Sequence, residues 1–415
     1  MIRRILDPAS VGKPQFIAAA LLLVYLSQCV WLIRVETVHG ALPDSNRALC
    51  IYDGLDQWKR GAIAGTPQTL GAEAATGVPS AGRAGHLRVR DGYDEDRSPL
   101  YYLAAAAPVL VPLKFLPPDS PPGQIWEAAP YLFFGVMLGG SLWYVARRLY
   151  GHAGGYIALG LYCFSPAMIL GVAGAENFGE MAGAWGAFGI IFTGIAVAHT
   201  LYAPREVMLW NSRRILLLGL SVAMSTGNQF SLAILGLLVL PIMLWVAPVR
   251  PKAAIAIWAA AVAVGAVLIF AFYFFQPVVF WRAMLHARWL DLQPSAFRMR
   301  PSYAQTLNMI QQGSPALVLA LPVALIAYFA WKRTRYFGNT APLLVAGLLF
   351  ILAVGSPGFP GQGFHLVLMP FIFVFVAGIF ADLIETRQKL FVTAGLCGLL
   401  GAGALWNMIQ LARLG

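Results

Sequence analysis

Charged side chains cluster directly before an apolar run in the segment DGYDEDRSPLYY. Its candidate binding residues are three acids, an arginine and two tyrosines: Asp94, Glu95, Asp96, Arg97, Tyr101 and Tyr102. Crowded carboxylates repel one another, so the acids could bind a cation, supply a base or simply be solvated. Arg97 precedes Ser-Pro where a helix is predicted to start, and its planar fork of N–H donors suits phosphate oxygens. The pattern favours phosphate binding by Arg97 over packing.

Two acids further upstream are also candidate functional residues. Asp44 lies in PDSNRALC and Asp53 in IYDGLDQW. Asp44 could equally be a helix N-cap, because Pro-Asp-Ser before a helical pattern is typical of that position. Asp53 is more often a solvated residue. Apolar residues three or four apart from Leu49 to Trp58 predict an amphipathic helix on the membrane surface.

A second acidic segment, GAENFGEMAG, lies between two hydrophobic runs and contains Glu176 and Glu180. An ionisable residue at the membrane boundary is a functional candidate because its desolvation is costly. Glu180 could instead be the first-turn acid of the next helix. Glu176 has less structural reason to be there.

Basic residues in the region 276–314 are unexpected, because that region is predicted to lie outside the membrane. Arg282, His286 and Arg288 are its candidate binding residues, and an anionic ligand would explain them. His365 follows a Gly/Pro-rich loop at the start of a predicted helix and is a weaker candidate.

Composition predicts the class of protein. Apolar residues make up 59% of the 415 residues and charged residues only 11%, whereas a soluble protein carries roughly a quarter charged residues. Apolar runs such as 128–146 and 153–172 recur without strand-like alternation, which indicates membrane helices and excludes a barrel. The chain is therefore predicted to be an all-α polytopic membrane protein, one domain over 1–415 with about eleven transmembrane helices. Its net charge of +11 reflects cytoplasmic loops and membrane lipids rather than nucleic acid.

Basic residues between the apolar runs predict the orientation. Arg3, Arg4 and Lys13 place the N-terminus, an uncleaved signal anchor, in the cytoplasm. Further cytoplasmic loops are predicted at basic clusters, namely 147–148, 205–214, 250–252, 332–335 and 387–389. These clusters all lie on the cytoplasmic side only if segment 99–115, which two prolines interrupt, does not span the membrane.

The predicted orientation divides the chain into membrane and outer parts. Segment 99–115 re-enters or lies along the outer face, 34–98 is the first periplasmic loop, and 276–314 is the second large one. A tight turn at 227–229 joins two short helices. The four cysteines show no zinc-ligand spacing, so no metal is predicted, although the acids at 94–96 leave a divalent cation open.

The order of these motifs resembles a known family. A signal anchor and a long acidic loop precede RSPLYY, then ARRLYG at 146–151, a Ser-Pro helix at 165–170 and the acidic turn AENFGEM. This order is similar to that of the GT-C membrane glycosyltransferases, close to the protein O-mannosyltransferase and lipid A aminoarabinose transferase group. The resemblance extends to about residue 200. Arg-Ser-Pro stands where the family usually has Lys-Pro-Pro or His-Pro-Pro.

The resemblance implies a fold, a reaction and roles. A GT-C enzyme in a bacterial inner membrane would transfer a sugar from a polyprenyl-phosphate donor, with inversion, at the periplasmic face. Asp44 would be the general base, with Asp53 as a competitor because Asp-Ser replaces the usual Asp-Glu. Glu180, or Glu176 if the turn is shifted, would be the second acid. Arg97 would hold the donor phosphate, helped by basic residues of 276–314.

Two other functions are compatible with the sequence. The departures from the family motifs would suit a non-catalytic membrane subunit that keeps the fold and binds a protein partner or lipid. A transporter is a third reading, which is disfavoured because the charges lie at loop ends rather than in mid-membrane.

Overall fold

The structure is a computed structural model that describes residues 14–39, 97–106, 121–173, 180–201, 211–287, 289–290, 292–355, 361–386 and 389–414. Within these ranges the regular secondary structure is entirely helical. The α-helices in chain order are α1 (Pro14–His39), α2 (Pro99–Ala106), α3 (Pro121–Glu127), α4 (Ala129–Cys163), α5 (Pro166–Ala173), α6 (Glu180–Thr200), α7 (Asn211–Asn228), α8 (Ala233–Val246), α9 (Pro251–Phe272), α10 (Pro277–His286), α11 (Arg300–Gly313), α12 (Leu317–Ala330), α13 (Phe337–Gly355), α14 (Gly361–Ile384) and α15 (Lys389–Leu414).

Proline residues mark the start of many of these helices. α2, α5, α9 and α10 begin at Pro99, Pro166, Pro251 and Pro277 respectively. The first N–H groups of a helix have no intrahelical acceptor, so proline loses nothing there and its fixed φ favours the helix. Pro99, the proline within RSPLYY, thus fixes where α2 begins.

Helix α14 lies at the centre of the bundle. Its spanning segment is 83% buried, against 17% for α15 at the periphery. The rings of Phe371, Phe373 and Phe375 are fully buried in α14. The helix packs against α4, α6, α12 and α13. Because it is apolar on all sides, it serves as the core against which the outer helices are placed.

Helix α4 folds back on itself at Gly151. This glycine has φ 74° and ψ −169°, a conformation that glycine adopts at little cost. The Tyr162 hydroxyl donates to the Gly135 carbonyl at 2.6 Å across 27 residues, which would be about 40 Å apart in a straight helix. The two arms therefore run side by side and correspond to the predicted segments 128–146 and 153–172.

The all-α polytopic architecture is confirmed in the described part of the chain, but the count of eleven spans is not. Seven described helices are long and apolar enough to cross a membrane, α4 being taken as one. The number rises to eight if α11 and α12, which meet at a bend of 112°, form one broken span. α8 is apolar but shorter.

Two local predictions have different outcomes. α7 ends at Asn228 and a 3₁₀ turn begins at Phe230, so the chain does leave α7 within the predicted turn 227–229, although Gly227 and Asn228 are still helical. α2 has eight residues, about 12 Å, which is too short to cross a bilayer. Residues 107–120 lie outside the described ranges, so the non-spanning course of 99–115 stays a prediction. The amphipathic helix expected around Leu49 to Trp58 lies outside them too.

Candidate functional site

A buried polar segment joins α7 to α8. We call residues 225–231, with the sequence STGNQFS, the polar turn. Its polar side chains are all buried, at 7% exposure or less: Ser225, Thr226, Asn228, Gln229 and Ser231. Asn228 Nδ2 donates to the Met224 carbonyl at 2.6 Å, and Gln229 Nε2 donates to Ser231 Oγ at 2.8 Å. Such bonds offset the cost of burying these amides.

The start of α2 is fixed on the polar turn. The Ser98 N–H donates to the Gly227 carbonyl at 2.9 Å. The fully buried Ser98 hydroxyl accepts the Leu100 N–H at 3.3 Å, a short-range capping contact at the first turn of the helix. The leucine packs with Ala182 of α6 and Met224 of α7. Three elements thus meet where the RSPLYY motif begins.

Arg97 lies at this junction, and its side chain is only 8% exposed. Its guanidinium carbon is 4.1 Å from the centre of the Tyr101 ring, one helical turn further along. A guanidinium over an aromatic face is held by a cation–π interaction, which fixes its plane. The structure therefore brings together the predicted phosphate ligand and one of the two predicted tyrosines.

Helix α6, which follows the second predicted outer loop, packs against the polar turn. A Cβ atom on Gly183 would lie 3.5 Å from Asn228 Cβ, and one on Gly186 would lie 2.5 Å from the Ser225 nitrogen. The 3.5 Å distance at Gly183 is an ordinary van der Waals contact, whereas Gly186 leaves no room for a Cβ atom and so lets α6 approach the turn closely. Glu180 is the first residue of α6, one helical turn before Gly183, so its backbone lies near the turn.

The third and fourth predicted outer regions converge on the same end. The rings of Phe230 and Trp289 have their centres 5.3 Å apart, which brings region 276–314 to the turn. Gln293 N–H donates to the Gly355 carbonyl at 2.7 Å, where the fourth region begins. A Cβ atom at Gly171 of α5 would lie 3.2 Å from Met181 Sδ in α6 and 3.4 Å from Leu366 Cδ1 in α14, so the first turns of these two helices lie close together. The described residues that border the predicted outer regions therefore share one end of the bundle.

The remaining predicted residues are less completely described. Tyr102 lies in α2, Glu180 in α6, His286 in α10 and His365 in α14, but only their backbones are described. Arg282 is exposed on α10. Seven predicted residues lie outside the described ranges: Asp44, Asp53, Asp94, Glu95, Asp96, Glu176 and Arg288. Their convergence with Arg97 stays a prediction.

The polar turn was only partly foreseen from the sequence. The sequence predicts a turn at 227–229 but not the burial of Ser225 and Ser231. The signal is a run of polar residues and glycine between two apolar segments. Ser225 Oγ is buried and has no hydrogen-bond partner among the described residues. In that same part of the chain no cluster of three or more His, Cys, Asp or Glu residues could hold a metal ion.

The fold resembles those of solved membrane proteins. ArnT from Cupriavidus metallidurans, bound to undecaprenyl phosphate, matches 92% of this chain and 62% of its own, with a TM-score of 0.61 and 14% identity. AglB from Archaeoglobus fulgidus, in complex with an inhibitory peptide and a dolichol-phosphate, matches 96% of this chain and 55% of its own, with a TM-score of 0.54 and 10% identity.

A further archaeal structure is similar over less of the chain. The oligosaccharyltransferase of Archaeoglobus fulgidus, in complex with Zn and sulfate, matches 77% of this chain and 45% of its own, with a TM-score of 0.50 and 13% identity. Each match thus spans less than two thirds of the solved protein. No family model and no curated protein sequence matches the chain. ArnT and AglB are both GT-C glycosyltransferases, and the fold of this chain is GT-C-like.

Proposed function

We propose that this protein transfers a sugar from a polyprenyl-phosphate donor to an acceptor at the periplasmic face of a bacterial inner membrane. One observation carries the proposal. Arg97 is held buried against Tyr101 where the predicted outer regions of a GT-C-like bundle meet. An arginine is costly to bury, so its place at the buried end of these membrane helices favours a role in binding an anion.

The proposed reaction needs two kinds of group. A carboxylate takes the proton from the acceptor's hydroxyl or amine, and the acceptor atom forms a bond to the anomeric carbon of the sugar. The bond from that carbon to the phosphate oxygen breaks, and its electron pair stays on the phosphate. Arg97 would stabilise the charge that develops there. Attack opposite the leaving phosphate inverts the anomeric configuration.

The carboxylate remains to be assigned among four predicted acids. Asp44 is the proposed base, with Asp53 as its competitor, and Glu180 or Glu176 is the proposed second acid. Glu180 is supported because it is the first residue of α6, and α6 contacts the polar turn one helical turn later, at Gly183. Residues Asp94, Glu95 and Asp96 are proposed to line the donor site with Arg97.

The lipid carrier is proposed from two of the similar structures. The ArnT structure contains undecaprenyl phosphate and the AglB structure a dolichol-phosphate. Both carriers present a phosphate on an apolar chain, which suits a buried arginine at the end of membrane helices. His365 and the basic residues of 276–314, including Arg282, His286 and Arg288, are proposed to contact the same donor.

Binding of undecaprenyl phosphate tests the proposal directly. The purified protein should bind this lipid saturably in detergent micelles, as measured by native mass spectrometry. Arg97→Ala should raise the Kd about 30-fold, or about 2 kcal/mol, because a charge-assisted contact to phosphate is lost. Arg97→Lys should fall between the two, since lysine keeps the charge without the fork.

The matched control is Arg148→Ala, because Arg148 is an exposed arginine near the Gly151 fold-back of α4. It should leave the Kd unchanged. An unchanged Kd in Arg97→Ala would contradict the proposed role of this arginine. If the wild type does not bind the lipid, the proposal of a lipid-linked donor is wrong.

Turnover separates a transferase from a non-catalytic subunit. Proteoliposomes containing undecaprenyl-phosphate mannose or undecaprenyl-phosphate aminoarabinose should release undecaprenyl phosphate when an acceptor is supplied. Binding without release under all conditions would favour the subunit. The assay should be repeated with EDTA, because activity that is lost and then restored by Mg²⁺ would direct attention to the acids at 94–96.

A further inference from the structure

We propose that Gly227 is a positioning residue, which sets the place of Arg97 by allowing α2 to sit directly on the polar turn. The role of Arg97 as a phosphate ligand rests on the proposed function. The geometric part of the inference, that Gly227 keeps Arg97 buried, does not depend on it.

Gly227 is in close contact with the two residues that carry Arg97 into α2. Its carbonyl accepts the Ser98 N–H at 2.9 Å. A Cβ atom at Gly227 would lie 2.9 Å from Leu100 Cδ2 and 3.1 Å from Ser98 Oγ. Both distances are shorter than ordinary van der Waals contacts, so an added methyl group requires a displacement.

The backbone itself does not require glycine at this position. Gly227 lies in the last turn of α7, and its φ is not positive. Alanine is a better helix former than glycine, so a substitution there would stabilise the helix if no neighbour were in the way. Among the described residues, the need for glycine therefore comes from Ser98 and Leu100 at the start of α2.

The displacement should fall on the start of α2. Leu100 is only 4% exposed and packs with Ala182 and Met224, so its side chain has little room to retreat. Ser98 is also fully buried and has equally little room to move. A displacement of Ser98 or Leu100 should also displace Arg97. Arg97 directly precedes Ser98, and its guanidinium stacks on Tyr101 of α2.

A glycine in the following helix provides a matched control. Gly236 lies in α8, and a Cβ atom there would have nothing within 4 Å. Gly236→Ala makes the same chemical change in the neighbouring helix without the contact to α2.

The first experiment measures whether Arg97 remains buried. Phenylglyoxal modifies accessible arginine side chains, and peptide mass spectrometry gives the rate at each site. Arg97 should react slowly in the wild type and in Gly236→Ala, and at least fivefold faster in Gly227→Ala. Equal rates in all three proteins would overturn the inference, whatever the protein's function.

The second experiment measures the consequence for the donor site. Gly227→Ala should raise the Kd for undecaprenyl phosphate about tenfold, and Gly236→Ala should leave it within twofold. If the wild type does not bind the lipid, the proposed function fails while the modification test still decides the inference. If Arg97→Ala weakens binding and Gly227→Ala does not, the inference alone fails.

A double variant keeps the test usable if Gly227→Ala does not fold. Leu100→Ala removes the Cδ2 atom that the new methyl group would meet. The double variant Gly227→Ala/Leu100→Ala should therefore resemble Leu100→Ala in yield and in Arg97 modification. If Gly227→Ala changes yield and Arg97 modification as much in the Leu100→Ala background as in the wild type, the contact with Leu100 is not the cause of the change.

Discussion

The two ends of the helix bundle use polar residues in different ways. The polar turn lies at one end, and at the other a set of residues we call the clasp (Tyr150, Arg333, Asn339, Asp382 and Glu385) joins α4, α13 and α14. In the clasp, side chains bond across elements: Tyr150 OH donates to the Gly338 carbonyl at 2.6 Å, and Asn339 Nδ2 donates to Asp382 at 3.0 Å. At the polar turn, Asn228 and Gln229 bond locally.

The difference indicates a division of tasks. At the clasp, the exposed pair Arg333–Glu385 and the Asn339–Asp382 bond connect the helices directly. At the polar turn, the elements meet through a backbone bond and close glycine contacts, and the guanidinium of Arg97 lies over the Tyr101 ring. Side-chain hydrogen bonds thus join the helices at the clasp, whereas close backbone contacts join them at the polar turn.

The largest effect is expected from the proposed general base. Asp44→Asn should lower the rate of sugar transfer by about 10²- to 10⁴-fold, because an amide cannot accept the acceptor's proton. The Kd for undecaprenyl phosphate and the melting temperature should stay unchanged. Rates are measured in proteoliposomes as release of undecaprenyl phosphate.

Asp53→Asn is the matched control for this assignment. Full activity in Asp44→Asn with loss in Asp53→Asn would transfer the base to Asp53. Glu180→Gln and Glu176→Gln separate the second pair of acids in the same way. If none of the four variants loses activity, none of these acids takes part in catalysis. The proposed division of tasks between the two ends would then be wrong.

The clasp should show the opposite behaviour. Asn339 is fully buried and donates to the Thr334 carbonyl as well as to Asp382, so Asn339→Ala should destabilise the protein by about 2–3 kcal/mol. Thermal unfolding in detergent measures this loss, and the Kd for undecaprenyl phosphate should not change. The control is Asn308→Ala, at an exposed asparagine of α11. A weakened Kd in Asn339→Ala would mean that the clasp also shapes the donor site.

How far the sequence predicts the fold depends on the range of the interactions involved. The two arms of α4 were found because apolar composition is a local property, and Gly151 marks their turn. The stacking of Arg97 on Tyr101 joins residues only four positions apart, so it is a local contact at the start of α2. The count of eleven spans was not confirmed, because α4 counts as one helix, α8 is short, and α12 meets α11 at a bend that depends on packing.

The candidate site was less accessible to prediction than the helices. Arg97 and Tyr101 were identified from residue type and position. The contact between Gly227 and Leu100 joins residues 127 positions apart, and only the folded chain brings them together. Burial of Ser225 likewise depends on the close approach of Gly186 in α6, about 40 positions earlier in the chain. Long-range close packing was what the sequence did not contain.

The smallest expected effect is a pH dependence of stability that comes from Tyr336, whose hydroxyl lies beside Asp382 of the clasp. Burial raises the pKa of the Tyr336 hydroxyl, and the nearby Asp382 charge adds to this. The unfolded chain should lose this proton near pH 10, while the folded protein keeps it. The folded state then binds more protons, so this contribution to stability is complete below about pH 10 and is lost as the pH rises further. Tyr336→Phe lacks the contribution, so its stability relative to the wild type should be constant below pH 9 and should improve between pH 10 and 11. Chemical unfolding across this range measures the difference. A difference that does not vary up to pH 11 would show that Tyr336 titrates alike in both states and that the clasp does not retain its proton.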